Sequence, residues 1–167
     1  MDKSVQLKGT AIRESDIKEG KVLSTQWVPK AQYAWDTGVA IGRFLEELKG
    51  GKIIGMKCAR CRRIMIPPRM FCELCYQPCR EWVYLQDWGT VRSFCVSHLR
   101  WDASRMKDPF LPSVIELEGS TKGMGFFHLT GEIDPKDMKI GLKVKAVWKD
   151  ARERTGAITD IRYFKPV

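Results

Sequence analysis

The chain has 167 residues, enough for one ordinary domain or two very small ones, and its 44% hydrophobic and 29% charged content is that of a globular protein. No apolar run approaches the ~18 residues that cross a bilayer, and residues 1–20 lack the apolar core of a signal peptide, so a cytoplasmic location is expected. The net charge of +9 suits a polyanionic partner such as nucleic acid, an acidic membrane or a phosphate-bearing cofactor, although a basic surface also serves simply to keep a chain in solution.

Residues 1–20 mix charged and apolar residues without a period and predict a loose leader or one marginal helical turn. Residues 21–35 (KVLSTQWVPKAQYAW) read as extended, because Pro29 biases Val28 away from helix. They carry Trp27, Tyr33 and Trp35, residue types that concentrate at partner interfaces. A helix follows: Asp36 or Thr37 can cap it, Ile41, Phe44, Leu45 and Leu48 form one apolar face, and Gly50-Gly51 ends it. A helix this short is unstable alone in water, so its apolar face is expected to dock on the rest of the chain.

The next segment reads C58-A-R-C61, ten residues, then C72-E-L-C75. A C-x2-C pair offers two thiolates to one ion from a single tight turn, and two such pairs complete the tetrahedron that zinc favours. Without an export signal, this spacing favours metal over disulfides. Cys58, Cys61, Cys72 and Cys75 therefore predict a ribbon in which Ile64-Met65-Ile66 forms a strand and Pro67-Pro68 a corner. With all four positions filled by cysteine, no site stays open for water, so the metal is structural. Zinc is the expected ion; iron at the same ligands would make an electron carrier, red rather than colourless. Lys52, Lys57, Arg60, Arg62, Arg63 and Arg69 offset the negative charge of four thiolates. Many such knuckles place Gly after the second Cys, where this chain has Arg62 and Tyr76. Of the remaining cysteines, Cys79 lies close enough in sequence to be an alternative ligand, though the C-x2-C pairing disfavours it, and Cys95 reads as an inert core thiol in a strand. His98 and His128 read as barrel residues; a Cys95/His98 nucleophile lacks a third orienting group.

After Pro78 short β-rich runs recur around Glu81–Leu85, Thr90–His98, Ser113–Glu118, Gly125–Thr130, Lys143–Lys149 and Ala157–Phe164, separated by Gly and Pro breakers. Their number and spacing predict a small five-stranded barrel of the OB type. The fold expected is mainly β: an arm and amphipathic helix over 1–50, a rubredoxin-like zinc ribbon over 51–80 and an OB-fold barrel over 81–167. One connection is long, Leu99 to Leu111 (LRWDASRMKDPFL), and long loops in compact domains are often functional. There is no Walker loop, G-x-G-x-x-G, H-E-x-x-H or G-x-S-x-G, and no self-sufficient catalytic constellation is expected.

The succession of amphipathic helix, GKIIGMKCARC, PPRMFCELC, Trp82, WGTVRSF, PSVIELEG, IGLKVKAVW and terminal YFKP resembles the rubredoxin-like zinc-ribbon plus OB-fold proteins associated with acyl-CoA enzymes. The resemblance covers roughly residues 33–167. It implies a stable complex with a thiolase-like or hydroxymethylglutaryl-CoA-synthase-like enzyme, of which the small subunit of a benzoylsuccinyl-CoA thiolase is one type. It also implies that the barrel handles coenzyme A while the catalytic cysteine belongs to the partner.

Two functions follow. In the first, the chain is a non-catalytic subunit of an acyl-CoA-processing complex. The host of coenzyme A needs cations for phosphates and an aromatic wall for adenine, and Arg100, Trp101, Arg105 and Lys107 of the long connection are the candidates. Arg60, Arg62, Arg63 and Arg69 on the ribbon are a second set. In the other, the basic ribbon and barrel grip single-stranded nucleic acid, with Trp82, Tyr84 and Phe94 as stacking platforms unless they are core.

Overall fold

The computed structural model describes residues 11–23, 25, 27–100 and 102–167, in two units, Met1–Trp35 and Asp36–Val167. In the first unit, helix α1 spans Glu14–Lys18, a single turn in which the Asp16 carboxylate accepts the Arg13 N–H at 3.0 Å. It buries no side chain, as expected of so short a helix. The described residues that follow have no regular structure, and Trp27, Tyr33 and Trp35 are exposed.

The second unit opens with helix α2 (Gly38–Lys49). Thr37 is its N-cap residue without a side-chain cap, while the Asp36 carboxylate accepts the Gly38 N–H at 2.8 Å. Phe44 and Leu48 are buried, and α2 packs on strand β1 (Ile53–Cys58), so the apolar face docks within the chain. Strand β1 lies at the centre of a three-stranded antiparallel sheet between β2 (Ile64–Met65) and β3 (Cys79–Leu85). The first of the six β-rich runs thus completes the ribbon sheet instead of joining the barrel. Arg43 lies over the Trp82 ring at 4.5 Å, and the Tyr84 hydroxyl donates to Glu47 at 3.0 Å, tying α2 to β3.

Strand β4 (Trp88–Phe94) begins the barrel; β5 (Ser97–Leu99) and β6 (Arg105–Leu117) form a hairpin, then come β7 (Phe126–Thr130), β8 (Lys143–Trp148) and β9 (Ile161–Pro166). Pairings β4–β6, β6–β7, β7–β9, β9–β8 and β8–β4 close a five-stranded ring. All are antiparallel except β7–β9, which meet in parallel at Thr130 and Phe164. This is the OB-type Greek key, closed thinly at one seam. Along β7 the side chains alternate, with Phe126, His128 and Thr130 inside and Phe127 and Leu129 outside. One core runs from α2 (Phe44, Leu48) through β1 (Ile53, Ile54) into the barrel (Val91, Ile115, Phe126, Val144, Phe164). Among the described residues no helix is long and apolar enough to cross a membrane.

Three expectations change. The long connection is a β-hairpin, since β6 runs from Arg105 and pairs with β5 through Ser97–Phe110 and Leu99–Arg105. Cys95 is exposed, not a core thiol, because a register shift between Val91 and Ser93 breaks the inside–outside alternation before it. His98 is exposed on β5, outside the barrel, whereas His128 is buried in it.

Candidate metal centre

The two C-x2-C turns fold alike. In the first, the Arg62 N–H donates to the Cys58 carbonyl at 3.1 Å and the Cys58 N–H to the Arg63 carbonyl at 2.9 Å. In the second, the Tyr76 N–H donates to the Cys72 carbonyl at 2.9 Å and the Cys72 N–H to the Gln77 carbonyl at 3.0 Å. Both turns need a left-handed residue after the second cysteine, and Arg62 (φ +63°) and Tyr76 (φ +53°) adopt it. Glycine would do so with less strain.

The four sulfurs lie within 4.8 Å of one another, with Cys58–Cys75 at 3.3 Å and Cys61–Cys72 at 3.5 Å. Metal–sulfur bonds of about 2.3 Å place tetrahedral sulfurs about 3.8 Å apart, so the set closes on an ion without rebuilding. Cys58 and Cys72 are buried, Cys75 half-buried and Cys61 exposed. The Cys61 amide, with help from Cys75 and the Arg60 amide, brings the Cys58 thiol down to about 6. The Leu74 and Cys75 amides hold Cys72 below its ordinary value. Their partners go the other way. The hydrogen bond with Cys58, then desolvation, pushes Cys75 up to about 12. At Cys61 the Arg63 amide pulls down, but desolvation and hydrogen bonds with Cys72 and Cys58 outweigh it and raise the thiol. Two of the four crowded thiols, Cys61 and Cys75, are therefore held toward the protonated form, and a divalent cation would displace those protons. The four residues can hold a metal ion, and they leave no protein-free position among them for chemistry.

Cys79 lies beside this cluster, buried, and desolvation together with the Cys58 and Cys72 charges pushes its thiol up to about 11. It is outside the four-sulfur set. Across the knuckles, Arg63 meets Glu73 at 3.1 Å, and Arg69 reaches the same carboxylate at 3.8 Å. Arg60, Arg62 and Arg80 form no ion pair among the described residues, and Arg60 and Arg80 line a cleft of about 360 Å³ with Ala59, Gln77 and Pro78. The Arg60–Arg80 pairing in space was not visible in the sequence, because Arg80 lies on β3, twenty residues away.

On the hairpin, Arg100 is in the turn, its N–H donating to the Ser104 carbonyl at 2.9 Å, and Arg105 and Lys107 begin β6. All three are exposed, and Arg105 and Lys107 share one face of the strand. Trp101 lies outside the described residues. The structure thus brings the hairpin cations together on one element, and holds the ribbon cations on another. In the barrel His128 accepts the Leu129 N–H at Nδ1 (2.8 Å), which leaves Nε2 to donate to the Ile158 carbonyl at 3.2 Å. Burial lowers its pKa, and it acts as a barrel residue.

A ribbon whose four cysteines can hold a metal ion thus leads into a five-stranded OB-type barrel. Residues 82–149 match the family model of the ChsH2 C-terminal OB-fold domain. With the four-cysteine cluster, this match fits the chain to the zinc-ribbon plus OB-fold, acyl-CoA-associated family that its sequence resembles. A DUF35-family protein of unknown function from Sulfolobus solfataricus is similar in structure, with a TM-score of 0.60 and 24% identity over 78% of this chain and 87% of that one. A structure described as an Ltp2-ChsH2(DUF35) aldolase gives a TM-score of 0.58 and 21% identity over 81% of this chain and 98% of its own. At these identities both likenesses speak to the fold alone. No curated protein matches the chain in sequence.

Proposed function

We propose that this chain is the non-catalytic, zinc-binding subunit of a cytoplasmic acyl-CoA-processing complex, supporting a thiolase-like or hydroxymethylglutaryl-CoA-synthase-like enzyme and helping to bind coenzyme A. The observation that carries the reading is the closed four-sulfur site joined to a barrel of the ChsH2 type. A neighbour of the same fold is described as part of an aldolase together with Ltp2, which supports an enzyme partner here. The ion's work is to pin the two knuckles, a structural task suited to zinc.

Coenzyme A ends in phosphates that need guanidinium or ammonium groups. Arg100, Arg105 and Lys107 on the hairpin, with Trp101 as an aromatic wall, form one host; Arg60 and Arg80 in the ribbon cleft form the other. Against the nucleic-acid reading, the Trp82 ring is covered by Arg43 and the Tyr84 hydroxyl is engaged by Glu47, so two of the three stacking platforms have tasks inside the chain.

Purification from the native host, with mass spectrometry of what accompanies the chain and elemental analysis, tests the proposal. One zinc per chain and a thiolase-fold enzyme in fixed ratio are expected. Calorimetry of that complex should show coenzyme A binding that weakens at least tenfold without the 3′-phosphate, and in the Arg100/Arg105/Lys107→Ala or the Arg60/Arg80→Ala variant. Tight binding of single-stranded DNA or RNA that falls steeply with salt, with no enzyme partner, would overturn it.

A further inference from the structure

The second knuckle exposes more apolar surface than its own fold uses. Within seven residues Met70 is 40% exposed, Phe71 63%, Leu74 65% and Tyr76 81%. Three of these flank or lie between the ligands Cys72 and Cys75, on a loop that a bound ion would hold rigid. Tyr76 is the most telling. Its backbone sits at φ +53°, a conformation that costs a non-glycine residue roughly 1–2 kcal/mol, and its side chain offers this chain no burial in return. Arg62 occupies the matching position of the first knuckle at φ +63°, also exposed and without an ion pair among the described residues. The turns account for the left-handed backbone but not for an exposed tyrosine and arginine there in place of glycine, and those side chains point to contacts made elsewhere.

We infer that the two knuckle tips form a docking surface for a folded protein, the enzyme subunit proposed above, whose face presents an apolar socket rimmed by carboxylates. Leu74 and Tyr76 enter the socket and Arg62 meets the rim. Charge complementarity sets the rim: residues 52–80 carry seven lysines and arginines against Glu73 alone. Rigidity sets the socket, since a loop already pinned loses little freedom on binding a preformed partner. The inference rests on the reading of the chain as an enzyme's subunit, and the experiment separates the two.

The thiolase-fold enzyme that accompanies the wild-type chain is purified, and its affinity is measured for wild type, Tyr76→Gly, Leu74→Ser and a barrel control, Ile140→Ser. Ile140 is 66% exposed, so its change should leave affinity within twofold. Tyr76→Gly removes the backbone strain, so the metal-loaded chain should melt about 2 °C higher while binding the enzyme at least tenfold more weakly. A residue with a purely structural role cannot move these two readouts in opposite directions. If Tyr76→Gly melts lower than wild type, Leu74→Ser decides: tenfold weaker binding supports the surface and unchanged binding overturns it. A complex that forms equally well with both variants overturns the surface and leaves the subunit reading intact. Failure of the wild-type chain to form any enzyme complex overturns that reading, and the surface with it.

Discussion

Asp160 fixes the loop between β8 and β9 from inside it. Its side chain is fully buried, yet it accepts N–H groups from Thr155 (3.0 and 3.1 Å), Gly156 (2.7 Å) and Ala157 (3.2 Å), with Lys149 at 4.0 Å. Burial alone would raise its pKa, but the three amides and the ammonium outweigh it and hold the carboxyl below its ordinary 3.8. Because the folded-state value is the lower one, Asp160 stabilises the fold fully above about pH 4. That contribution is lost as pH falls from there through the depressed value. Asp160→Ala leaves three amides without acceptors and should cost about 3 kcal/mol at neutral pH. Urea melts from pH 7 to pH 2.5 should show the variant with a flatter acid limb than wild type. Nothing in the sequence marks this residue, since one Asp before a strand looks like any turn former. The cysteine quartet is the opposite case: its C-x2-C spacing states its geometry outright. The missing glycines at Arg62 and Tyr76 announced an imperfect turn, and the chain takes the left-handed conformation there nonetheless.

At the level of elements, α2 was legible because Phe44 and Leu48 recur at helical spacing, and β7 because its alternation survives intact. The β5–β6 hairpin was not, because Pro109 and Pro112 read as breakers. Both fall where the side of β6 that faces β4 and β5 is already irregular, although Pro112 also pairs in register with Leu129 of β7. Pro112 lies opposite the gap between β4 and β5, its carbonyl accepting the Cys95 N–H at 3.0 Å, and Pro109 lies in the offset between the Ser97–Phe110 and Leu99–Arg105 pairs. Proline is tolerated at such places because no regular pair there depends on its missing N–H. Similarly, β3 looked like a barrel strand but pairs with β1, a choice of partner that no local pattern encodes. Gly89 shows how tightly β4 meets β6: a Cβ there would run into the Glu116 carbonyl and the Leu117 backbone. Backbone cannot move aside as a flexible side chain can. Gly89→Ala should therefore destabilise the barrel by about 2–3 kcal/mol, read as a lower urea midpoint with an unchanged slope.

Across the second unit, the four-cysteine cluster and the main core are neighbours served by one strand. Ile53 and Ile54 at the start of β1 belong to the core shared with the barrel, while Met56 and Cys58 at its end belong to the cluster around the sulfurs. Removing the ion should therefore unfasten the knuckles first. A strong chelator is expected to release one metal per chain and lower the melting temperature by 10 °C or more, with part of the β signal in far-ultraviolet circular dichroism retained by the barrel. Complete loss of the β signal, or no change in melting, would contradict this division. The division also orders events during synthesis. All four sulfurs have left the ribosome once Cys75 emerges, whereas β4 must wait for β8, more than fifty residues later, before its second edge is covered. Loading of the ion is a short-range event and barrel closure a long-range one. A cell short of the metal would thus leave the ribbon unpinned while the later barrel strands were still untranslated.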